Sequence, residues 1–143
     1  MPQLLEQPRT RAARCARPQT ILIIDDDDAM VDVLSQRLNR QGYEIVVAAS
    51  GDEGLAVARD RRPNLVLLDL RLPDADGFSV CQQLADDSGT CAIPVIILSG
   101  MERPDIIRRS RAAGCQYYVR KPYDPNALLI LVQHAMGEAD RWS

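Results

Sequence analysis

Five short apolar runs, each followed by a segment with helical spacing, constrain the fold more than any other feature of this 143-residue chain. The runs are TILIID at 20–25, YEIVVAA at 43–49, NLVLLD at 64–69, PVIILS at 94–99 and QYYVR at 116–120. Most are continuous rather than alternating, which is typical of strands buried on both faces of a parallel sheet. The sequence therefore predicts a β-α unit repeated five times, with helices on both faces of one parallel sheet.

Helical spacing and capping signals follow each run. The second helix opens on SGDE at 50–53, a capping-box pattern. The third covers about 77–86 and the fourth about 104–113. For the fifth helix, Asp124 is the predicted N-cap and Pro125 the first helical residue.

Composition indicates a soluble globular domain, with 46% hydrophobic and 26% charged residues. No apolar run approaches the roughly 20 residues that a membrane helix needs, and no signal-peptide core follows the start. We therefore expect a cytoplasmic protein without a membrane partner. The four cysteines are scattered and there is one histidine, which argues against a zinc site and favours reduced thiols.

Charge divides the chain into a basic start and an acidic remainder. Residues 1–20 hold four arginines and one glutamate, a net charge of +3, and the remaining 13 bases and 19 acids give −6. That balance offers little to a nucleic acid. We expect a flexible Arg-rich tail over 1–19, one domain over 20–138 and a short tail over 139–143. Lys121 is the single lysine beside sixteen arginines.

Polar residues stand where the predicted strands end. The first run continues into four aspartates, 25–28, and the third ends in Asp69. The fourth ends in Ser99, and the fifth is followed by Lys121 and Pro122. An aspartate after a strand is by itself more often a cap or turn former. Because ligands of open α/β sheets bind beyond the carboxyl ends of the strands, however, the set predicts one functional site.

The chemistry of that set suits a hard divalent cation and a phosphoryl group. Mg²⁺ prefers oxygen ligands, and crowded carboxylates repel one another unless a cation offsets them. Counting Asp25, Asp26 and Asp69 as −3, Lys121 as +1 and Mg²⁺ as +2 gives a neutral site. A carboxylate there can act as a nucleophile and form an aspartyl phosphate.

The four motifs together resemble the receiver domains of two-component response regulators. ILIIDDDD resembles the family's first strand and acidic pair, VLLDLRLPDADG its acceptor strand and loop, VIILSG its hydroxyl-bearing strand, and YYVRKP its aromatic-x-x-Lys-Pro signature. The resemblance covers about residues 20–138. It implies a flavodoxin-like, doubly wound (βα)5 fold with strand order 2-1-3-4-5, and a phosphoacceptor signalling protein rather than an enzyme.

The resemblance also implies a role for each matching position. Asp69 is similar to the phosphoacceptor, which takes its phosphoryl group from a sensor histidine kinase or a phosphotransfer protein. Implied Mg²⁺ ligands are Asp69, Asp26, the backbone carbonyl of Arg71, and Asp25 mainly through a bound water.

Lys121 would pair with the acceptor carboxylate, and the resemblance implies a cis bond between Lys121 and Pro122. Ser99 and Tyr118 resemble the switch pair, in which a hydroxyl moves toward the phosphoryl group and an aromatic ring follows. We expect that switch to act on the face of helix four, strand five and helix five, toward a downstream protein, an output domain or a homodimer partner. Helix four carries Arg103, Ile106, Arg108, Arg109 and Arg111 on that face.

Two other readings remain open at the level of sequence. A degenerate receiver used only for docking is one, although the intact set of site residues speaks against it. A Mg²⁺-dependent phosphohydrolase is the other, but phosphohydrolases of the haloacid-dehalogenase type need an aspartate where this chain has Arg71. Within the acidic block, Asp28 is the predicted cap of the first helix and Asp27 a solvated loop acid at the rim of the site.

Overall fold

The computed structural model of the chain describes residues 18–100, 105–115 and 117–142, with only the backbone of Ile107 and of residues 138–142. Nearly all of the expected N-terminal tail, and Arg103 of the fourth helix, lie outside the described residues.

One parallel sheet organises the described part of the chain. Its strands are β1 (Thr20–Ile24), β2 (Glu44–Ala48), β3 (Leu65–Asp69), β4 (Val95–Ser99) and β5 (Tyr117–Arg120), and their order is β2-β1-β3-β4-β5. Every neighbouring pair is parallel. The predicted order 2-1-3-4-5 is confirmed. Because every pair is parallel, the carboxyl ends of these strands lie at one edge of the sheet.

Helices connect the strands and cover both faces of the sheet. They are α1 (Asp28–Arg40), α2 (Gly51–Arg61), α3 (Gly77–Asp86), α4 (Ile106–Ala112) and α5 (Pro125–Trp142). Among the described helices, none has the length and apolar character that crossing a membrane requires. The last helix continues through Trp142.

Two apolar clusters, one on each face, hold the layers together. In β1, Leu22 and Ile24 point toward α2, α3 and α4, whereas Ile21 and Ile23 point toward α1 and α5. This division follows from the two-residue period of a strand, since successive side chains leave opposite faces. All four side chains are at most 1% exposed, as the continuous apolar run predicted.

The cap of α1 corrects one prediction. The N-cap is Asp27, whose backbone is extended and whose carboxylate accepts from Met30 N at 3.3 Å; Asp28 already belongs to the helix. The cause is a hydrogen bond just before the helix: Asp27 N donates to Asp25 Oδ1 at 3.0 Å, and the chain turns there. Asp28 still places its charge in the first helical turn, where the helix dipole favours it.

The other predicted caps form with one difference. Ser50 accepts from Glu53 N at 3.2 Å, but the Glu53 carboxylate accepts from Ala49 N rather than from the N-cap amide. At the start of α5, Asp124 accepts from Asn126 N at 3.0 Å, with Pro125 as the first helical residue.

Candidate functional site

Three carboxylates meet at the carboxyl edge of the sheet. Asp25 and Asp26 follow β1 and Asp69 ends β3, and one ligand atom from each lies within 4.8 Å of the others. Because β1 and β3 are adjacent and parallel, their ends have to lie side by side. Asp25 and Asp69 are buried, at 2% and 8% exposure, whereas Asp26 is exposed.

Asp25 has both carboxylate oxygens engaged within the protein. Its Oδ1 accepts from Asp27 N at 3.0 Å and its Oδ2 accepts from Lys121 Nζ at 3.3 Å. Its own amide donates to Ala48 O at 3.0 Å, which continues the β1–β2 ladder by one residue. Asp25 is therefore a buried but well-partnered charge, as a buried carboxylate requires.

Asp69, the last residue of β3, accepts one backbone hydrogen bond, from Arg71 N to Oδ1 at 3.2 Å. Burial raises the pKa of Asp69 above its usual range, while the Lys121 ammonium and the Arg71 amide oppose that rise. The nearby Asp25 carboxylate adds to the rise in pKa. The Lys121 ammonium is thus the largest influence that opposes the rise in the pKa of Asp69.

Lys121 follows β5, which is separated from the Asp69 strand by β4. Its amide donates to Ser99 O at 2.8 Å, and its bond to Pro122 is cis. Its ammonium lies 3.7 Å from Asp69 Oδ2, farther than the 3.3 Å to Asp25. The sequence predicted that Lys121 pairs with the Asp69 carboxylate and offsets the charge of the neighbouring aspartates; in the structure Asp25 is its nearer partner.

Ser99 ends β4 and is fully buried. Tyr118 is half-buried on β5 against the same apolar cluster as Ile97, its register partner on β4. Since Ile97 and Ser99 are two residues apart, their side chains leave the same face of the sheet. Ser99 and Tyr118 therefore share that face, with Ser99 at the site edge.

An open cavity of about 470 Å³ lies at the carboxyl edge of the sheet. It is lined by acids, by the lysine and by the loop after β3: Asp26, Asp27, Asp69, Arg71, Leu72, Pro73, Gly100 and Lys121. The sequence predicted Asp27 as a solvated loop acid at the rim of the site, and Asp27 is exposed in this wall; its capping role could not be read from adjacent aspartates. Carboxylate oxygens this close together fit a hard divalent cation such as Mg²⁺.

Comparison with known proteins agrees with this arrangement. A family model described as the response regulator receiver domain matches residues 21–133. The chain belongs to this family. The match spans the sheet, apart from the first residue of β1, and each residue of the site described above.

Curated relatives of this receiver domain include both long and short proteins. It is 39% identical over 121 residues to the DNA-binding dual master transcriptional regulator RpaA of Synechocystis, a match to 85% of this chain and 50% of that protein. It is 30% identical over 122 residues to the polar-differentiation response regulator DivK of Brucella anthropi, covering 85% of this chain and 99% of that protein. The receiver domain thus spans about half the length of the first of these relatives.

Solved structures with the same fold include a CheY-like response regulator receiver domain protein of Methanospirillum hungatei. The TM-score is 0.83 at 31% identity, covering 88% of this chain and 99% of that one. The receiver domain of a sensor histidine kinase of Pseudomonas aeruginosa has a TM-score of 0.77 at 26% identity, covering 84% and 98%. That structure has a magnesium ion coordinated in its active-site cleft.

Proposed function

We propose that this receiver domain accepts a phosphoryl group on Asp69 and transmits the change to a protein partner. The donor is a phosphohistidine of a sensor kinase or phosphotransfer protein, and Mg²⁺ is required. The observation that carries the proposal is the position of Asp69, a buried carboxylate that faces an open cavity within 4.8 Å of two further acids and beside the only lysine.

Mg²⁺ would be held by Asp26, Asp69 and the backbone carbonyl of Arg71. Asp25 would act through a bound water, since both of its oxygens already accept hydrogen bonds from the protein. The exposed Asp26 has no such engagement among its described contacts and can offer an oxygen directly. When bound, the ion offsets the negative charge that gathers as the phosphoryl group arrives.

The reaction is a displacement at phosphorus. A carboxylate oxygen of Asp69 forms a bond to phosphorus, the phosphorus–nitrogen bond of the donor breaks, and the imidazole leaves with the electron pair. Lys121 holds positive charge 3.7 Å from the Asp69 carboxylate, where the new phosphoryl oxygens will lie. Positioning and charge neutralisation thus supply most of the catalysis.

The output of this step is a change at the face formed by α4, β5 and α5. Ser99 would donate to a phosphoryl oxygen and move toward Asp69, which leaves room for the half-buried ring of Tyr118 to turn inward. Arg108 and Arg111 are exposed on α4. The partner we propose is a protein or a second copy of the chain rather than a nucleic acid, because the chain beyond residue 20 has a net charge of −6.

Intact-protein mass spectrometry after incubation with acetyl phosphate and Mg²⁺ tests the acceptor role. We expect one added phosphoryl group in the wild type, and none with a chelator or in Asp69→Asn. No addition to the folded wild type would favour a docking-only domain. Rapid release of phosphate with repeated turnover would favour a phosphohydrolase.

A further inference from the structure

The loop from Leu70 to Asp76 joins the acceptor strand to α3 and forms one wall of the cavity. Its base is closed by Gly77 N, which donates to Leu70 O at 3.0 Å, and by an antiparallel bridge between Arg71 and Asp76. Arg71, whose carbonyl we assign to Mg²⁺, is therefore part of this loop. The course of the loop sets the position of that carbonyl.

Asp74, at the tip of the loop, reaches across to the start of α2. Its Oδ1 accepts from Gly51 N at 2.7 Å and its Oδ2 accepts from Asp52 N at 3.0 Å. Both oxygens of one carboxylate thus satisfy the first two amides of a helix that begins twenty-three residues earlier in the chain. Such amides have no partner inside the helix, and the helix dipole favours a negative charge there.

The first turn of α2 therefore has two separate caps. Ser50, the residue that precedes the helix, accepts from Glu53 N at 3.2 Å, and Asp74 takes the two amides before it. The hydrogen bonds from Gly51 N and Asp52 N lower the pKa of Asp74, so the carboxylate is ionised at neutral pH. The Ser50 cap is local in sequence, whereas the Asp74 cap ties α2 to the loop.

Packing at Gly51 shows how closely the loop approaches the helix. A Cβ added at Gly51 would lie 2.9 Å from Ala75 Cβ, 3.0 Å from Val80 Cγ2 and 3.3 Å from Asp74 Oδ1. These distances leave no room for any larger residue unless the loop moves. The two hydrogen bonds of Asp74 thus act together with a steric fit, and both fix the tip of the loop on α2.

We propose that Asp74 is a positioning residue for phosphoryl acceptance. By holding the tip of the loop on the first turn of α2, Asp74 fixes the loop that carries Arg71. The inference rests on the proposed function, because it assigns the Arg71 carbonyl to the Mg²⁺ site. Asp74 itself does not line the cavity. Its effect on the site is therefore transmitted through the loop backbone.

Amide hydrogen exchange in the Mg²⁺-free protein tests the positioning directly. The variants are Asp74→Ala and, as a matched control, Ser50→Ala, which weakens the same helical turn without touching the loop. We expect Asp74→Ala to accelerate exchange at Arg71 and Gly77 by about tenfold, as the loss of two ordinary hydrogen bonds implies. Ser50→Ala should leave both rates unchanged. Equal rates at both amides in the two variants would overturn the proposal.

Mg²⁺ affinity, measured by calorimetry at a temperature where all variants are folded, extends the test to the site. We expect Asp74→Ala to bind Mg²⁺ about tenfold more weakly, near the lower end of the losses seen when a group that orients a metal ligand is removed. Asp74→Asn keeps an oxygen for one of the two amides and should recover part of the affinity.

The two hypotheses fail in different ways. If the wild type binds no Mg²⁺, the proposed function is wrong, and the exchange rates at Arg71 and Gly77 still decide whether Asp74 fixes the loop. If the wild type, Asp74→Ala and Asp74→Asn bind Mg²⁺ equally, the proposed function survives and the positioning role of Asp74 is wrong.

Discussion

The ammonium of Lys121 lies 3.7 Å from the carboxylate of Asp69, although Asp69 ends β3, Lys121 follows β5, and β4 lies between these strands. The Lys121 side chain reaches Asp69 because its backbone amide donates to Ser99 O at the end of β4, which fixes the Lys121 backbone at the site edge. The same ammonium lies 3.3 Å from Asp25. One cation thus serves two buried carboxylates, and the site depends on it strongly.

Replacing Lys121 should raise the pKa of Asp69. Burial already raises that pKa, and the Lys121 charge is the largest opposing influence. In Lys121→Met the carboxyl carbon of Asp69, followed by NMR in Mg²⁺-free buffer, should titrate at higher pH than in the wild type. Arg120→Met, which removes the neighbouring exposed cation, is the control and should change the pKa little.

The direction of the pH dependence follows from the same shift. As pH falls through the raised pKa, Asp69 takes up a proton and loses its nucleophilic form. Phosphorylation by acetyl phosphate should therefore decline toward acid pH, and in Lys121→Met the decline should begin at higher pH. In the Mg²⁺-free protein the raised pKa also means that ionised Asp69 destabilises the folded state. The free energy of unfolding should therefore increase as pH falls through the folded-state pKa and Asp69 takes up its proton. An unchanged titration in Lys121→Met would contradict this electrostatic account.

Removing the Ser99 hydroxyl should separate the site from the output face. Beryllofluoride with Mg²⁺ mimics the phosphoryl group, and in the wild type we expect amide shifts at Asp69, at Tyr118 and in α4. In Ser99→Ala, shifts near Asp69 should persist while those at Tyr118 largely vanish, because no hydroxyl is drawn inward. Ser110→Ala is the control, since it removes another buried hydroxyl, which donates to Ile106 O within α4. Full shifts at Tyr118 in Ser99→Ala would rule out the hydroxyl as the link.

Arg109 connects α4 to the start of α3. Its Nη2 lies 3.6 Å from Asp76 Oδ2, and its Cζ lies 4.2 Å from the centre of the Phe78 ring. Both partners of the ion pair are partly exposed, so we expect Arg109→Leu to lower the free energy of unfolding by only about 1 kcal/mol, from the cation–π contact and a screened ion pair. Urea unfolding measures this loss.

The control for Arg109 is Arg108→Leu, which removes an exposed arginine from the same helix. It should change the free energy of unfolding by less than about 0.5 kcal/mol, as surface substitutions usually do. Equal losses in the two variants would show that the contacts with Asp76 and Phe78 contribute nothing measurable.

Gly77 is required by packing rather than by backbone conformation. An added Cβ would lie 2.5 Å from Leu70 Cα and 2.9 Å from Asp69 O, both of which are backbone atoms that cannot rotate away. Gly77→Ala should therefore cost about 3 kcal/mol, at the upper part of the usual range for overpacking. Thermal and urea unfolding will report the change, and the amide of Leu70 should shift.

Gly137 offers the matched control, because an added Cβ there meets nothing within 4 Å in the described part of the chain. It lies within α5, so Gly137→Ala should stabilise the protein by about 0.5–1 kcal/mol through helix propensity. A loss of stability in Gly137→Ala comparable to that in Gly77→Ala would mean that the close contact with the acceptor strand is not the cause.

The sequence predicted those features that depend on local pattern. Continuous apolar runs identify strands buried on both faces, and in a parallel sheet their ends must share an edge, which is why Asp25, Asp69, Ser99 and Lys121 could be grouped in advance. In the structure Lys121 lies beside Asp25 and Asp69, and its amide donates to Ser99 O. The parallel α/β class and the shared edge thus followed from periodicity and topology, whereas the strand order 2-1-3-4-5 was implied by the resemblance to receiver domains.

What the sequence could not predict depends on single contacts between distant residues. Four adjacent aspartates look alike, and only the hydrogen bond from Asp27 N to Asp25 makes Asp27, rather than Asp28, the cap. The contact of Asp74 with Gly51 also has no periodic signal, because it joins a loop tip to a helix start. Such contacts follow from the packed structure and not from propensity.

Locating the modified residue is the most direct test of the central claim that Asp69 accepts the phosphoryl group. After reaction with acetyl phosphate and Mg²⁺, borohydride reduces an aspartyl phosphate to homoserine, which peptide mass spectrometry can place in the chain. The account predicts homoserine at position 69 and at no other aspartate, and none when Mg²⁺ is chelated. Homoserine at Asp25 or Asp26, or an unmodified Asp69 in protein that has gained a phosphoryl group, would contradict it.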